Sequence, residues 1–540
     1  MPVMTGGSAI ARTLITNGVD TVFGLPGVQC DHIFDGLYHE RDKLRVITSR
    51  HEQGAAYMAF GYAQSTGRLS PYVVVPGPGL LNTATPLCIA HSCNAPVLAV
   101  TSQIATRYAG MGLGVLHEVS NTARAFSSFS KHQGFADAPT RVPLVLNECI
   151  RQATSGRRGA VLLEVPEDIT AERADILIPV AASVEPSPQP DPDLISKAAA
   201  LLGAAKRPMI YVGGGSVEAG MPLQALSEAL QAPVVMTRHG RGALSDHHPL
   251  AQTQLGGHIL WRDTDLVLVV GSRFLDAEIW GVDNAMKIIR IDIDATQATR
   301  PIIPDIRLVG DAAVVLEALF NALSAHNRAR PDLRDDLNRI RQAALLKFGE
   351  LQPQKAYSDA MRAVLPDDAI TVCDVTQLAF YMRLGFPVYT PRSQIFSGYQ
   401  DSLGFGFATA LGAKVAHPDK AVVCVTGDGG FLFTMPEIAT AVKHDIPLIT
   451  VLFNDGAFGN VRRIQKQHFG ERYIGSDLTN PDFMKLADSF GIAGFRAFSP
   501  DELGTTLAKA LVCGGPALIE VPVGPMPAWQ PYIPRSRARP

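Results

Sequence analysis

Three short passages of this chain occur twice, in the same order and about 350 residues apart, which is the mark of an internal duplication. Gly159-Ala-Val-Leu-Leu-Glu-Val-Pro166 returns as Gly515-Pro-Ala-Leu-Ile-Glu-Val-Pro522, and Ala95-Pro-Val-Leu-Ala-Val100 as Ile446-Pro-Leu-Ile-Thr-Val451. Val73-Val-Val-Pro-Gly-Pro-Gly79 faces Val423-Cys-Val-Thr-Gly-Asp-Gly429. Both ends of the chain must therefore fold alike. Ahead of the glycine turns, Ala55, Ala59 and Ala63 recur every fourth residue, as do Gly404, Ala408, Gly412 and Ala416. Each stretch reads as a helix with one face free of bulky side chains, open to close approach by another backbone, either in a tightly packed core or at a subunit interface. Strands alternating with helices throughout predict an α/β protein built of doubly wound parallel sheets, with ligands at the carboxyl ends of the strands.

A chain of 540 residues is too long for one hydrophobic core. Pro186, Pro188, Pro190 and Pro192 alternate with polar residues and predict a linker over 184–193; a second polar, charged stretch covers 326–353. The expected division is an N-terminal domain 1–183, a central domain 194–325 with strand-like runs at Met209–Val212, Leu266–Val270 and Ile288–Ile293, and a C-terminal domain 354–540. The first and third are the related pair. A formal net charge of -3 with both signs interspersed offers no basic stripe for nucleic acid. No apolar run approaches the roughly 20 residues of a membrane span, and Met1 to Asp20 lacks the order of an export signal, so a cytoplasmic protein is expected. The seven cysteines follow no zinc spacing, and Cys373 and Cys424 sit within apolar strand-like runs as small hydrophobes.

The sharpest constellation is Thr426-Gly427-Asp428-Gly429-Gly430, followed some 25 residues later by Phe453-Asn454-Asp455-Gly456-Ala457. A strand ending in Gly-Asp-Gly presents a carboxylate on a tight turn and leaves backbone N–H groups free to approach an anion. The next strand ends in a second oxygen donor. Asp428, Asp455 and the carbonyl of Ala457, completed by a diphosphate and water, would suit Mg2+. Taken alone, the same residues are only an acidic strand-end turn.

Gly427-Asp428-Gly429 with Asn454-Asp455 resembles the metal–diphosphate motif of thiamine diphosphate enzymes, and His51-Glu52-Gln53-Gly54-Ala55 resembles their activating glutamate segment. The likeness runs along the whole chain through Gly24-Leu-Pro-Gly27, Gly77-Pro-Gly79 and Ile289-Arg-Ile-Asp-Ile-Asp294. It points to the acetolactate synthase-like branch, which also holds pyruvate oxidases and benzoylformate decarboxylases. That resemblance implies thiamine diphosphate and Mg2+ as cofactors and a small 2-oxo acid or related carbonyl as substrate. Glu52 would hydrogen-bond the aminopyrimidine ring and favour the imino tautomer that removes the thiazolium proton. By position in the family, Leu403 is the apolar wedge that bends the cofactor, and the carbonyl of Asp401 accepts from the 4-amino group. Thr376, Gln377, Gly427, Gly429 and Gly430 would hold the diphosphate.

Two departures from the family pattern stand out. Asp455 replaces the usual second asparagine, and Ile464, in Val461-Arg-Arg-Ile-Gln465, replaces a tryptophan of the biosynthetic synthases. His117 aligns with a glutamine facing the reacting carbon, where a neutral imidazole could steer a carboxylate or shuttle a proton; Val28, Gln29 and Cys30 are expected to line the same pocket. The central domain carries Gly213-Gly-Gly-Ser216 and Gly271-Ser-Arg273, neither of which completes Gly-x-Gly-x-x-Gly, so FAD is possible there but not favoured. The expected activity is decarboxylation with carboligation. Simple decarboxylation, cleavage of a 1,2-diketone, and a noncatalytic regulatory role are the alternatives. In the family Glu52 of one chain meets the Gly-Asp-Gly domain of another, which implies a homodimer or homotetramer with shared active sites.

Overall fold

Short β-branched runs that end in glycine or proline set the strands of this protein, and amphipathic or small-residue stretches supply the crossover helices. The computed structural model describes residues 2–534 apart from Asp276 and Asn284. The N-terminal region contains β1 (Val3–Thr5), β2 (Thr21–Gly24), β3 (Arg45–Thr48), β4 (Ser70–Val74), β5 (Val97–Gln103), β6 (His132–Phe135), β7 (Val161–Pro166) and β8 (Arg173–Asp175). β1 and β8 form a small antiparallel pair, and the other six make a parallel sheet ordered β3-β2-β4-β5-β7-β6. The central region holds β9 (Pro208–Val212), β10 (Val234–Met236), β11 (Ala251–Thr253), β12 (Leu266–Val270), β13 (Lys287–Asp292) and β14 (Ile306–Val309), ordered β11-β10-β9-β12-β13-β14. The C-terminal region holds β15 (Ile370–Cys373), β16 (Gln394–Ile395), β17 (Val422–Gly427), β18 (Ile449–Asn454), β19 (Ala493–Arg496) and β20 (Ala517–Pro522), ordered β16-β15-β17-β18-β20-β19.

The outer two sheets share one topology: counted in chain order, each runs second, first, third, fourth, sixth, fifth. The duplication reaches individual side chains. Glu164 on β7 and Glu520 on β20 are both buried, and each accepts a hydrogen bond from an amide at the end of the fourth strand, from Gln103 Nε2 at 3.0 Å and from Asn454 Nδ2 at 2.8 Å. The central sheet differs. Its order is that of dinucleotide-binding folds, with a switch point between β9 and β12.

The outer domains share a hydrophobic core through the two small-faced helices, Glu52–Thr66 and Gly406–Ala416. A β-carbon on Gly61 would collide with the backbone carbonyl of Thr409, and one on Gly412 with that of Met58. The stripe of small residues thus serves backbone contact within one chain. Pro192, the last of the four alternating prolines, falls in the first turn of the helix Pro192–Ala204, with Asp191 as its cap; a first-turn proline lacks an N–H that would be unpaired there anyway. Among the described residues no helix is long and apolar enough to cross a membrane.

Candidate functional site

The carboxyl ends of β15, β17 and β18 converge, and the turn Asp401–Phe405 closes over them. Thr376 caps the helix Gln377–Gly385, its hydroxyl accepting from Ala379 N at 3.0 Å. A β-carbon on Gly427 would lie 3.4 Å from Thr376 Cγ2, and one on Gly430 would lie 3.0 Å from Asp374 Oδ2 and 3.4 Å from Gly404 N. Bare backbone at 427 and 430 therefore floors a narrow cleft that opens at Thr376 and Gln377. Gln377 Oε1 is buried without a hydrogen-bond partner among the described residues. Gly429 lies under the ring of Phe458.

Asp374, which sequence reasoning passed over, ties this cleft together. Its carboxylate accepts from Val375 N (2.7 Å), Gly404 N (3.3 Å), Gly406 N (3.2 Å) and the Thr426 hydroxyl (3.2 Å). Burial pushes its pKa up to about 6 in spite of those four donors. The turn it holds carries Leu403, half-buried, and Asp401, whose backbone sits in the left-handed region at φ 42°. From the other side the Asp401 carboxylate accepts from Arg383 at 2.6 Å.

Asp428 opens the helix Asp428–Thr434 and is buried. Its Oδ2 accepts from Asn480 Nδ2 at 2.6 Å, and the same amide reaches Asn454 Oδ1 at 3.0 Å. Burial, and next the charge of Asp428, push the Asp455 pKa up to about 6. A carboxylate raised by burial and by a neighbouring negative charge is one that a cation between the two would relieve. Asn480 was not foreseen from the sequence; it reaches the site because the 455–458 loop pairs with 476–478 through an Ala457–Asp477 bridge, Phe458 N to Ser476 O and Leu478 N to Gly456 O, both 2.8 Å. Its Oδ1 is buried with no partner among the described residues. No cluster of three His, Cys, Asp or Glu ligands occurs among the described residues. Two carboxylates, a backbone carbonyl and an orphaned amide oxygen fit a hard cation that fills its shell with phosphate oxygens and water.

The N-terminal residues form a second group. His51 caps the helix Glu52–Thr66, its Nδ1 accepting from Gln53 N at 3.1 Å. Glu52 Oε2 accepts from Asn82 Nδ2 at 3.0 Å, and a β-carbon on Gly79 would lie 3.4 Å from Glu52 Oε1. His117, at φ 65°, places Nδ1 2.9 Å from Gln29 Oε1, and Gln29 Nε2 donates to Leu116 O. Gly77 packs on the backbone of His117. Glu52, Gly79, Gly77, His117 and Gln29 thus form one contiguous edge, with Val28 exposed beside it and Cys30 buried behind. Ile464 stands apart on the helix Gly459–His468, 37% exposed. Among the described residues no hydrogen bond joins Glu52 to the Asp428 cluster.

In the central domain a cavity of about 460 Å³ lies at the ends of β9, β12 and β13, lined by Gly213–Gly215, Ser272, Arg273 and Asp292 with Arg157 and Arg392 from the neighbouring domains. It is separate from both groups above.

This is a three-domain α/β enzyme whose first and third domains share one sheet topology, with a cluster of oxygen donors at the strand ends of the third. Models of the thiamine pyrophosphate enzyme N-terminal TPP binding domain, central domain and C-terminal TPP binding domain match residues 4–125, 195–319 and 374–521. The chain is 32% identical to a probable acetolactate synthase large subunit of Methanococcus aeolicus, over 99% of this chain and 94% of that protein. It is 32% identical to the acetolactate synthase isozyme 3 large subunit of Escherichia coli (95% and 93% covered) and 33% identical to a probable 2-ketoarginine decarboxylase of Pseudomonas aeruginosa (96% and 94%). The chain belongs to the thiamine pyrophosphate enzyme family, and thiamine diphosphate is its cofactor.

If the Asp428 and Asp455 cluster holds a metal, one outcome follows. Asp455→Asn keeps an oxygen ligand and removes the repulsion from Asp428, so cofactor affinity measured by calorimetry is expected to stay within about threefold of wild type. A folded Asp455→Asn protein without activity would mean that this carboxylate does more than hold a metal.

Proposed function

We propose that the protein is a thiamine diphosphate- and magnesium-dependent enzyme that decarboxylates a 2-oxo acid and joins the remaining fragment to a second carbonyl, in the manner of an acetolactate synthase. The observation that carries this reading is the facing pair Asp428 and Asp455 with the orphaned Asn480 Oδ1, set beside the bare-backbone cleft at Gly427 and Gly430. Asp428, Asp455 and the Ala457 carbonyl would hold Mg2+, and Thr376, Gln377, Gly429 and Gly430 would hold the diphosphate. Bound there, thiamine diphosphate supplies an electron sink that lets a bond beside a carbonyl break. Glu52 holds and moves the proton at the aminopyrimidine ring. Leu403 would pack against the bound cofactor as an apolar support. The reaction balances without a redox partner, so FAD is not part of the proposed cofactor set.

Val28, Leu81, Leu113 and Leu116 on the Glu52 side, and Phe433, Val461, Phe469 and Ile474 in the segments that follow Asp428 and Asp455, are large exposed apolar residues. Apolar surface of this kind seeks a partner. A second copy that sets the Glu52 edge of one chain against the Asp428 cleft of the other supplies it, in a dimer or a pair of dimers. The position of Glu52, unbonded to its own chain's Asp428 cluster, supports the same arrangement.

A second reading, nonoxidative decarboxylation of a longer 2-oxo acid, is favoured by the pocket wall. Ile464 gives up the flat surface of a tryptophan, the His117–Gln29 pair adds a polar edge, and one relative is named as a decarboxylase of a guanidinium-bearing 2-oxo acid. Cleavage of a 1,2-diketone is a third outcome of the same chemistry. A turnover screen over 2-oxo acids with Mg2+ and cofactor, scoring carbon dioxide, aldehyde and acyloin, separates the three; absence of turnover on every 2-oxo acid would sink the reading. Shape alone gives preferences of about 10 to 200-fold, and an unpaired polar group gives more. Ile464→Trp is therefore expected to shift the specificity constant toward pyruvate. His117→Ala, which leaves Gln29 Oε1 without its partner, is expected to reorder substrates while cofactor affinity stays unchanged. Parallel losses on all substrates would show that neither side chain reads the substrate.

A further inference from the structure

Glu437 lies nine residues beyond Asp428, in the short turn of 3-10 helix Met435–Glu437 that ends the Gly-Asp-Gly segment, and it is 1% exposed. Nothing in its sequence context, Met435-Pro-Glu-Ile438, marks it. Its carboxylate reaches out of the C-terminal domain and accepts from the backbone of the loop that presents Glu52. Arg50 N donates to both oxygens, at 3.1 and 3.0 Å, and His51 N donates to Oε1 at 3.0 Å. On the far side Oε2 accepts from the Thr440 hydroxyl at 2.5 Å. Gly54, in the first turn of the Glu52 helix, has no room for a β-carbon because the Glu437 carboxylate fills that space. The start of the Glu52 helix is thus closed from below by a buried acceptor whose own position is fixed by the segment that begins at Asp428.

A wider clamp surrounds this contact without touching the same amides. His444 Nε2 lies 3.0 Å from Thr48 N, Lys443 Nζ lies 2.7 Å from Thr48 Oγ1, and Thr440 Oγ1 lies 3.3 Å from Thr48 O. That clamp holds the end of β3. Among the described residues only Glu437 accepts from the backbone N–H groups of residues 50 and 51, directly ahead of Glu52, where a rotation of the helix start would swing the Glu52 carboxylate.

We propose that Glu437 is a positioning residue for Glu52: it fixes the backbone of Arg50 and His51 so that the Glu52 carboxylate points at a constant angle, and in doing so it ties that angle to the segment carrying the Asp428 cluster. The proposal rests on the assignment of Glu52 as the group that works at the cofactor. Glu437 itself touches no reacting atom. Because its part is to accept from two backbone N–H groups, an amide oxygen in the same place can serve: in Glu437→Gln, Oε1 still accepts from Arg50 N and His51 N and Nε2 donates to Thr440 Oγ1, and only the second Arg50 N contact, to Oε2, is given up.

The test uses the full-length protein with thiamine diphosphate and Mg2+, and follows thiazolium proton exchange by NMR, cofactor affinity by calorimetry, and amide hydrogen exchange of Arg50 and His51 with and without cofactor. Glu437→Ala is expected to slow thiazolium exchange about tenfold or more, as misplacement of a reacting group does. Cofactor affinity is expected to stay within about threefold, because no ligand of the metal or the diphosphate is changed. The Arg50 and His51 amides are expected to lose protection in the cofactor-free protein as well. Glu437→Gln is expected to restore both exchange readouts, and His444→Ala, which cuts the outer clamp, is expected to leave them as in wild type. Wild-type thiazolium exchange in Glu437→Ala overturns the proposal. Equal slowing in His444→Ala overturns it in favour of general support for the domain contact, and failure of Glu437→Gln to rescue overturns it in favour of a role for the charge. Should Glu437→Ala fail to fold, Glu437→Asp, whose shorter side chain withdraws the acceptor from Arg50 N and His51 N, takes its place with the same slowing expected and wild-type thiazolium exchange overturning the proposal. Wild-type exchange in Glu52→Gln would instead remove the assignment of Glu52, and the amide readout would then stand alone.

Discussion

Glu52→Gln is expected to bind thiamine diphosphate with wild-type affinity and to exchange the thiazolium proton about a hundredfold more slowly, or worse, the size of a lost acid–base group. The geometry makes this substitution clean. Glu52 is the first residue of its helix, its side chain is 15% exposed, and its one hydrogen-bond donor among the described residues is Asn82. The amide oxygen of glutamine can accept from Asn82 as the carboxylate does, and the side chain keeps its length against Gly79. What is lost is the capacity to hold and release a proton. Proton exchange precedes any substrate, so the measurement is independent of whether the enzyme ligates, decarboxylates or cleaves. Exchange at the wild-type rate in the variant would end the assigned role.

The parts of this protein that were legible in the sequence are those in which local chemistry and tertiary position coincide. Val422–Gly427 and Ile449–Asn454 are apolar strands that run into small or acidic residues, so the strand end and the ligand position are the same place in the chain. The repeat of Gly159–Pro166 as Gly515–Pro522 marked the two domains as copies, and it extended to the buried Glu164 and Glu520, whose amide partners occupy matching positions in the shared topology. Asn480 was invisible because it stands in a loop before Pro481, with no motif of its own, and is delivered by pairing between 455–458 and 476–478. Asn82, Asp374 and Glu437 are lone polar residues whose partners lie about 30 to 390 residues away along the chain. The one local signal among them is the acid of Asp374 at the edge of an apolar run, Val372-Cys-Asp374, which many surface turns share. The order of the central sheet was equally hidden. Its glycines serve close packing between the two strand-end turns, with Gly215 N donating to Gly271 O at 3.0 Å, and that use leaves no fingerprint of spacing.

Asp428→Ala is expected to weaken cofactor binding at least tenfold at fixed Mg2+, about 1.4 kcal/mol or more, because the metal loses its buried anionic ligand and the diphosphate loses the cation that neutralises it. The remaining carboxylate is not lost along with it, and the direction of its titration shows why. Burial is the first cause that raises Asp455 to about 6, and the charge of Asp428 is the second. Removing Asp428 therefore lowers the Asp455 pKa, so Asp455 is more fully ionised in the variant than in the parent at every pH near 6. Any loss of affinity then reports the missing ligand and not protonation of its neighbour. Asn480 is affected as well: its Nδ2 loses the acceptor at 2.6 Å and keeps only Asn454 Oδ1 at 3.0 Å. Calorimetry of cofactor binding across a Mg2+ series separates the two effects, since a lost metal ligand moves the Mg2+ dependence to higher concentration whereas a disordered Asn480 loop lowers affinity at all Mg2+ concentrations alike. Unchanged affinity at every Mg2+ concentration would place the diphosphate and its metal away from Asp428, and the cleft at Gly427 and Gly430 would then need another ligand.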